Sequence, residues 1–246
     1  MTNHVMLNNV DHKDLRIITT RSREYGDNVR CTMTFSWEFR SVQAHYPIFF
    51  SKDPDTGKFM AVALFGFEED ENLFLDENGW DATYIPMMVL RDPFLIGRQQ
   101  PAERADSTDG AMIHLDMDSP RVSHDDGEPV FLPHGGISEY LDSVNALLHT
   151  INEGYEVNEL FLDALQTHDL LESFALDVTL NDGSENRMMG FYTINEEKLA
   201  QLDREALGDL QGKGFLQPIY MAVASLSNLR ALIDRKNARI AKSDQY

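Results

Sequence analysis

The stretch AMIHLDMDSPRVSHDDGE, residues 111–128, holds the side chains best suited to chemistry. His114 and Asp116 stand two apart, and a spacing of two along a β-strand brings side chains to one face. An imidazole and a carboxylate so placed are two of the three ligands of a non-haem iron(II) centre, which a distal histidine completes. His124, His134, His149 and His168 are the candidate third ligands, and Fe2+ is the cofactor of that reading. The competing reading has no cofactor: Asp116, Asp118 or Ser119 caps the amides of a turn ahead of Pro120. With 8 histidines and 41 acidic residues, a His-x-Asp pair arises readily by chance, so the turn is the expectation. Asp125, Asp126 and Glu128 add oxygen donors for calcium, but EF-hand spacing is absent and a solvated acidic loop is expected. Glu68, Glu69, Asp70 and Glu71 read as a second turn held in water.

Two further groups carry binding potential. Trp80, Tyr84, Met87, Met88 and Phe94 cluster in sequence around Asp81 and Arg91. Aromatics, Met and Arg are enriched at contact cores, so this is either a groove for a peptide or protein, or core beneath a loop with Asp81 and Arg91 paired. The basic residues Arg230, Arg235, Lys236, Arg239 and Lys242 suit a solvated helix C-terminus, where cations favour the dipole, or contact an acidic partner. The binding candidates are thus Trp80, Asp81, Tyr84, Met88, Arg91, Asp116, Asp118 and Ser119. The lone Cys31 cannot form an internal disulfide and reads as a small buried or half-buried side chain rather than a reactive thiol, although Arg30 stands beside it. No G-x-S-x-G, G-x-x-x-x-G-K, G-x-G-x-x-G, H-E-x-x-H or C-x-x-C occurs, and no local arrangement marks a nucleophile.

The elements that must position these residues follow from periodicity. Two apolar runs, PIFFSKD (47–53) and KFMAVALFGF (58–67), flank Asp53-Pro-Asp-Thr-Gly57, a hairpin signal. NLFLD (72–76) is expected as a third antiparallel strand. Residues 14–21 and 112–116 read as strands, residues 36–46 as a helix stopped by Pro47, and 85–91 as a short helix. From 137 onward, Leu141, Val144, Leu148 and Ile151, then Val157, Leu160, Phe161 and Leu165, recur in steps of three and four. Gly154 is expected to divide this run into two helices. Residues 173–194 form a hairpin around Asn181-Asp182-Gly183, and Asn195 and Asp203 are N-caps of the next helices. The last apolar segment, 215–240, is expected as a buried helix.

The fold class is therefore α+β: a mostly antiparallel sheet, built from an N-terminal meander and a later hairpin, packed with helices of the C-terminal half. One domain over 1–246 is expected, with a loose N-terminus (1–12), a mobile loop (98–110) and a basic tail (237–246). The 246 residues suffice to bury a sizeable core. A formal charge of −20 opposes binding to phosphate backbones and anionic lipid surfaces, so neither nucleic acid nor membrane insertion is expected. The N-terminal sixteen residues hold no apolar h-region. The cytoplasm is the expected compartment, with the cell surface, by a route that reads no N-terminal signal, as the alternative.

Three blocks of sequence resemble the bacterial SapC family, which takes its name from a surface-layer-associated gene. They are EFRSVQAHYPIFFSKD with AVALFGF, NLFLDENGWDATYIPMMVLRDPF, and LDREALGDLQGKGFLQPIYMAVASLSNLRALIDR. DMDSPRVS followed by GEPVF adds to them, and together they span roughly residues 14–236. The resemblance implies that Asp-x-Asp-Ser (116–119) belongs to the family's run while a histidine at 114 does not, which favours the turn over iron. Genes of the family lie near flavin-dependent halogenase-like and cupin-like genes, which implies an accessory role beside a modifying enzyme. A protein or peptide partner is the expectation that joins these readings. An iron oxygenase and a surface-layer structural protein are the alternatives.

Overall fold

A computed structural model describes residues 3–98 and 111–243; the loop expected over 98–110 lies outside the described residues from 99 onward. The chain begins with β1 (His4–Met6), β2 (Arg16–Ile17), β3 (Cys31–Thr34), α1 (Phe39–Val42), β4 (Ile48–Lys52) and β5 (Phe59–Leu64). Then come β6 (Leu75–Asp76), β7 (Gly79–Trp80), α2 (Met87–Leu90), β8 (Phe94–Arg98), β9 (Ala111–Asp116), β10 (Val122–Ser123) and β11 (Glu128–Pro129). The C-terminal half is α3 (Glu139–Thr167), β12 (Leu171–Thr179), β13 (Glu185–Ile194), α4 (Glu196–Ala200), α5 (Arg204–Gly212), α6 (Leu216–Ser225) and α7 (Asn228–Ser243). The protein is α+β, and every described strand pairing is antiparallel. It gathers into two compact units, Met1–Asp27 with Met87–Glu153, and Asn28–Pro86 with Gly154–Tyr246.

In the first unit β9 lies between β1 and β8, with His4 opposite Asp116 and Leu95 opposite His114. Residues 4–6 are therefore not loose: a hydrophobic β9 offers them a ladder, with Val5 opposite Leu115. A second small sheet has β2 between β10 and β11. Leu15, Ile17, Phe94, Leu115, Val130, Leu141, Val144 and Leu148 form the core, so the first half of α3 contributes the stripe its spacing predicts. Ser138 caps that helix, its Oγ accepting from Leu141 N at 3.0 Å.

The second unit is built on a five-stranded sheet in the order β12-β13-β4-β5-β3. The β4–β5 hairpin forms as its turn residues dictate: Asp53 Oδ1 accepts from Asp55 N (2.9 Å) and Thr56 N (2.7 Å), and Gly57 takes φ +68°. The third strand of the meander is not 72–76, however. β5 pairs with β3, Cys31 opposite Leu64, while residues 75–76 turn back on β7. Side chains bend the chain there: Glu71 Oε2 accepts from Phe67 N and Asn72 Oδ1 from Phe74 N, each at 2.9 Å, so the run cannot stay extended.

Two more expectations change. Gly154 does not divide α3, which runs unbroken through 29 residues. The glycine serves a contact instead, because a Cβ there would collide with the Trp37 indole. The C-terminal apolar segment forms two helices, α6 and α7, separated at Leu226–Ser227. The predicted caps are present: Asn195 accepts from Lys198 N at 2.8 Å and Asp203 from Ala206 N at 2.9 Å.

Candidate functional site

In the second unit, α7 holds the loop over 68–81. Lys236 Nζ donates to Glu68 Oε1 and Glu71 Oε1, both at 2.6 Å. Arg239 Nη2 donates to the carbonyls of Asn72 (3.1 Å) and Leu75 (2.8 Å). Arg235 Nη1 donates to Asp81 Oδ2 at 2.7 Å, and its guanidinium lies 4.5 Å from the Phe74 ring centroid. Positions 235, 236 and 239 share one side of a helix and form a clamp rather than a solvated face, while Arg230 and Lys242 stay exposed as expected. The expected solvated turn is corrected by the same contacts: Glu71 is 5% exposed, since Lys236 neutralises it in the interior. Asp81 pairs with Arg235, and Arg91 lies 3.8 Å from Asp92 instead.

Between this loop and α7 lies an open groove of about 700 Å³. Leu73 and Phe74 give it apolar wall, Asp76, Glu77 and Asp81 an acidic rim, and Arg235 and Lys242 a basic one. Both signs of charge around an open trough, with Ala238 exposed on its α7 side, suit a polypeptide better than a small anion or cation.

Trp80 and Tyr84 stand in a buried network next to it. Trp80 Nε1 donates to Tyr46 Oη at 2.8 Å, Tyr46 donates to the Tyr84 carbonyl, and Tyr84 Oη donates to Glu38 Oε1 at 2.6 Å. Thr34 Oγ1 donates to the other oxygen of Glu38, also at 2.6 Å, and Glu38 is 3% exposed. Burial pushes the Tyr46 hydroxyl up, and burial with the adjacent Glu38 raises Tyr84 too. Both phenols stay protonated donors at neutral pH. Their chemistry is to hold residues 80–84, with Trp80 and Tyr84 half-buried; Asp81 alone of the three lines the groove.

The other predicted residues fall in the first unit. Met88 and Arg91 belong to α2 and the turn after it, and Asp116, Asp118 and Ser119 to the turn after β9. The turn forms as expected: Asp116 Oδ1 accepts from Asp118 N at 3.2 Å and Ser119 Oγ from Arg121 N at 3.3 Å. Arg91, Asp116, Asp118 and Ser119 line a cleft of about 350 Å³ with Tyr25 and Arg121; Met88 does not. Beneath it is a charge cluster that the sequence hides. Asp27, 3% exposed, accepts from Arg121 Nη2 (2.6 Å), Arg21 Nη1 (3.1 Å) and Ser22 N (2.9 Å). Arg121 also donates to the carbonyls of Ile18 (2.8 Å) and Thr20 (3.0 Å). Burial, then the charge of Arg121, pulls the Arg21 guanidinium below its ordinary value, and Asp27 opposes this.

His114 meets no ligand set. Its ring packs on Gly97, where a Cβ would overlap the imidazole, and among the described residues no three His, Cys, Asp or Glu side chains converge as a metal site. Cys31 is half-buried, its thiol pushed up by burial against the opposing charge of Arg30.

These features define an α+β protein whose charged side chains clamp loops and line open clefts. The chain belongs to the SapC family: the family's sequence model matches residues 7–232. Comparison with curated proteins and with solved structures finds no match. Among the described residues, no helix is long and apolar enough to cross a membrane.

Proposed function

We propose that this SapC-family protein is a binding protein that engages a protein or peptide partner along the groove between residues 73–81 and α7. The observation that supports the reading is the clamp: Arg235, Lys236 and Arg239 fix a loop some 160 residues away and leave an open, two-signed, partly apolar trough above it. A preformed trough lowers the ordering cost of binding, which favours recognition of an extended segment. Two of the three blocks that resemble the family meet here, NLFLDENGWD and the one ending in ALIDR, whose last residues form the first half of α7. The gene association of the family implies a modifying enzyme, such as a halogenase-like protein, as the partner.

Ala238 lies in the groove, so Ala238→Trp fills it while the three clamping cations themselves are left unchanged. Tagged wild type and Ala238→Trp are recovered from the source cells at low and moderate salt, and co-purifying proteins are quantified. A protein stoichiometric with the wild type and depleted with Ala238→Trp is the expected result. No such protein, or equal recovery with both, overturns the reading.

A further inference from the structure

The second half of α3 does not bury the stripe its spacing predicts. Phe161 and Leu165 are fully buried, but Val157 is 45% exposed and Leu160, one turn on, 63%. Asn158 takes the inward place, its Oδ1 accepting from Ser36 N at 3.1 Å. Val157 borders a cleft of about 280 Å³. Trp37 and Val157 form one side of the cleft, Pro218 and Met221 of α6 another, with Arg40 and Lys213 beside them.

Trp37 is exposed but fixed. Its ring stacks on Phe35 at 5.6 Å between centroids and 9° between planes, and Gly154 leaves the space that the indole occupies. A large aromatic held in one orientation before binding is the kind of group that becomes an interface anchor, because little entropy remains to be lost. The charges around it are one-sided. In a chain of −20, no acidic residue among the described residues lines this cleft. Lys213, just past the end of α5, reaches Asp209 of that helix at 2.7 Å, while Arg40 is exposed and makes no ion pair among the described residues. The volume falls just below the range of small-molecule pockets, roughly 300–1,000 Å³, and suits one or two side chains of a partner.

We infer that this cleft docks a short apolar segment of another protein that carries an Asp or Glu: an apolar side chain packs on Trp37 and the carboxylate pairs with Arg40. The segment would lie on a surface separate from the α7 groove, and the inference does not rest on that groove's role. An uncompensated guanidinium beside an apolar anchor favours an acidic-apolar ligand through bidentate hydrogen bonding. Like charge across most of the remaining surface turns the same ligand away elsewhere.

The test is selection of short random peptides, displayed on phage, against the full-length protein. Enriched peptides are then resynthesised and titrated by fluorescence in a Trp80→Phe background, where Trp37 is the remaining indole. The expected result is a family of peptides with Asp or Glu near Leu, Ile or Phe, which shift Trp37 emission and lose at least about tenfold in affinity with Arg40→Glu. Arg40→Gln falls between, and Ala238→Trp in the α7 groove leaves binding unchanged. Arg40 is exposed, so these variants fold, as circular dichroism will show. Enrichment without acidic residues, binding indifferent to Arg40→Glu, loss of binding with Ala238→Trp, or no enrichment overturns the inference.

Discussion

Asp27→Asn keeps the shape of a buried side chain and removes its charge, which makes it the sharpest probe of the first unit. Asp27 accepts from two guanidinium groups and one amide, and its side chain is 3% exposed. Arg121, at 2%, and Arg21, at 12%, would be left as two cations out of water with no carboxylate between them. Breaking a buried pair by removing one partner costs about 3–5 kcal/mol, because the other charge stays desolvated. Arg121 keeps its bonds to Ile18 and Thr20, and Arg21 its bond to Val89, so the low end of that range applies. About 3 kcal/mol is roughly a 100-fold rise in the opening constant at 25 °C. Both tryptophans lie in the second unit, so fluorescence does not report on this cluster. Amide hydrogen exchange in peptides covering β8 and β9 does, and there exchange should accelerate by that factor. Adding Arg121→Met to Asp27→Asn should restore part of the loss, since one stranded cation is then gone. Acceleration below about fivefold, or further loss in the double variant, would refute the assignment of this cluster as a mutually dependent ion group.

Other perturbations follow from the same geometry. Lys236→Met strands Glu71 and should cost about 3 kcal/mol in urea unfolding followed by tryptophan fluorescence. Burial lowers the Lys236 ammonium, but its bonds to Glu68 and Glu71 outweigh this and hold it above its ordinary value. Its contribution is therefore full below about pH 10.4 and fades as pH rises through the folded value, so the gap between wild type and Lys236→Met should be flat near neutrality and narrow in alkali. Gly154→Ala gains about 1 kcal/mol of helix propensity but drives a methyl into Trp37, and a net loss of about 1–2 kcal/mol with altered Trp37 emission is expected. A stabilised Gly154→Ala variant would show that the indole moves freely. Asn195→Ala and Asp203→Ala should each cost about 1 kcal/mol in thermal unfolding, with Gly at either site recovering most of it.

Features set by neighbours in sequence were legible in the sequence. The Asp53–Gly57 turn, the strand at 112–116, the hairpin at 181–183 and the caps at 195 and 203 each depend on a few adjacent residues, and all are present. Contacts across the chain were not legible. β3 is short and carries two threonines and a cysteine, and only its partner, β5, makes it a strand. Gly154 looks like a helix breaker, but its cause is Trp37, more than a hundred residues earlier. Asp81 sits near Arg91 in sequence and pairs with Arg235 because α7 returns there. Asp27 lies in a polar run, Ser-Arg-Glu-Tyr-Gly-Asp-Asn, and nothing local marks it as buried. Of the candidate site, Asp81, Arg91, Asp116, Asp118 and Ser119 line clefts, whereas Trp80 and Tyr84 hold the loop, and Arg40 was missed because charge alone does not reveal a groove.

The claim that a polypeptide occupies the α7 groove is most directly tested by placing a photoreactive amino acid at Lys242, on the groove rim, and irradiating living source cells. One dominant covalent adduct with a second protein is expected, absent when Ala238→Trp is present in the same chain. No adduct from that position, or one that persists with the trough filled, would contradict it.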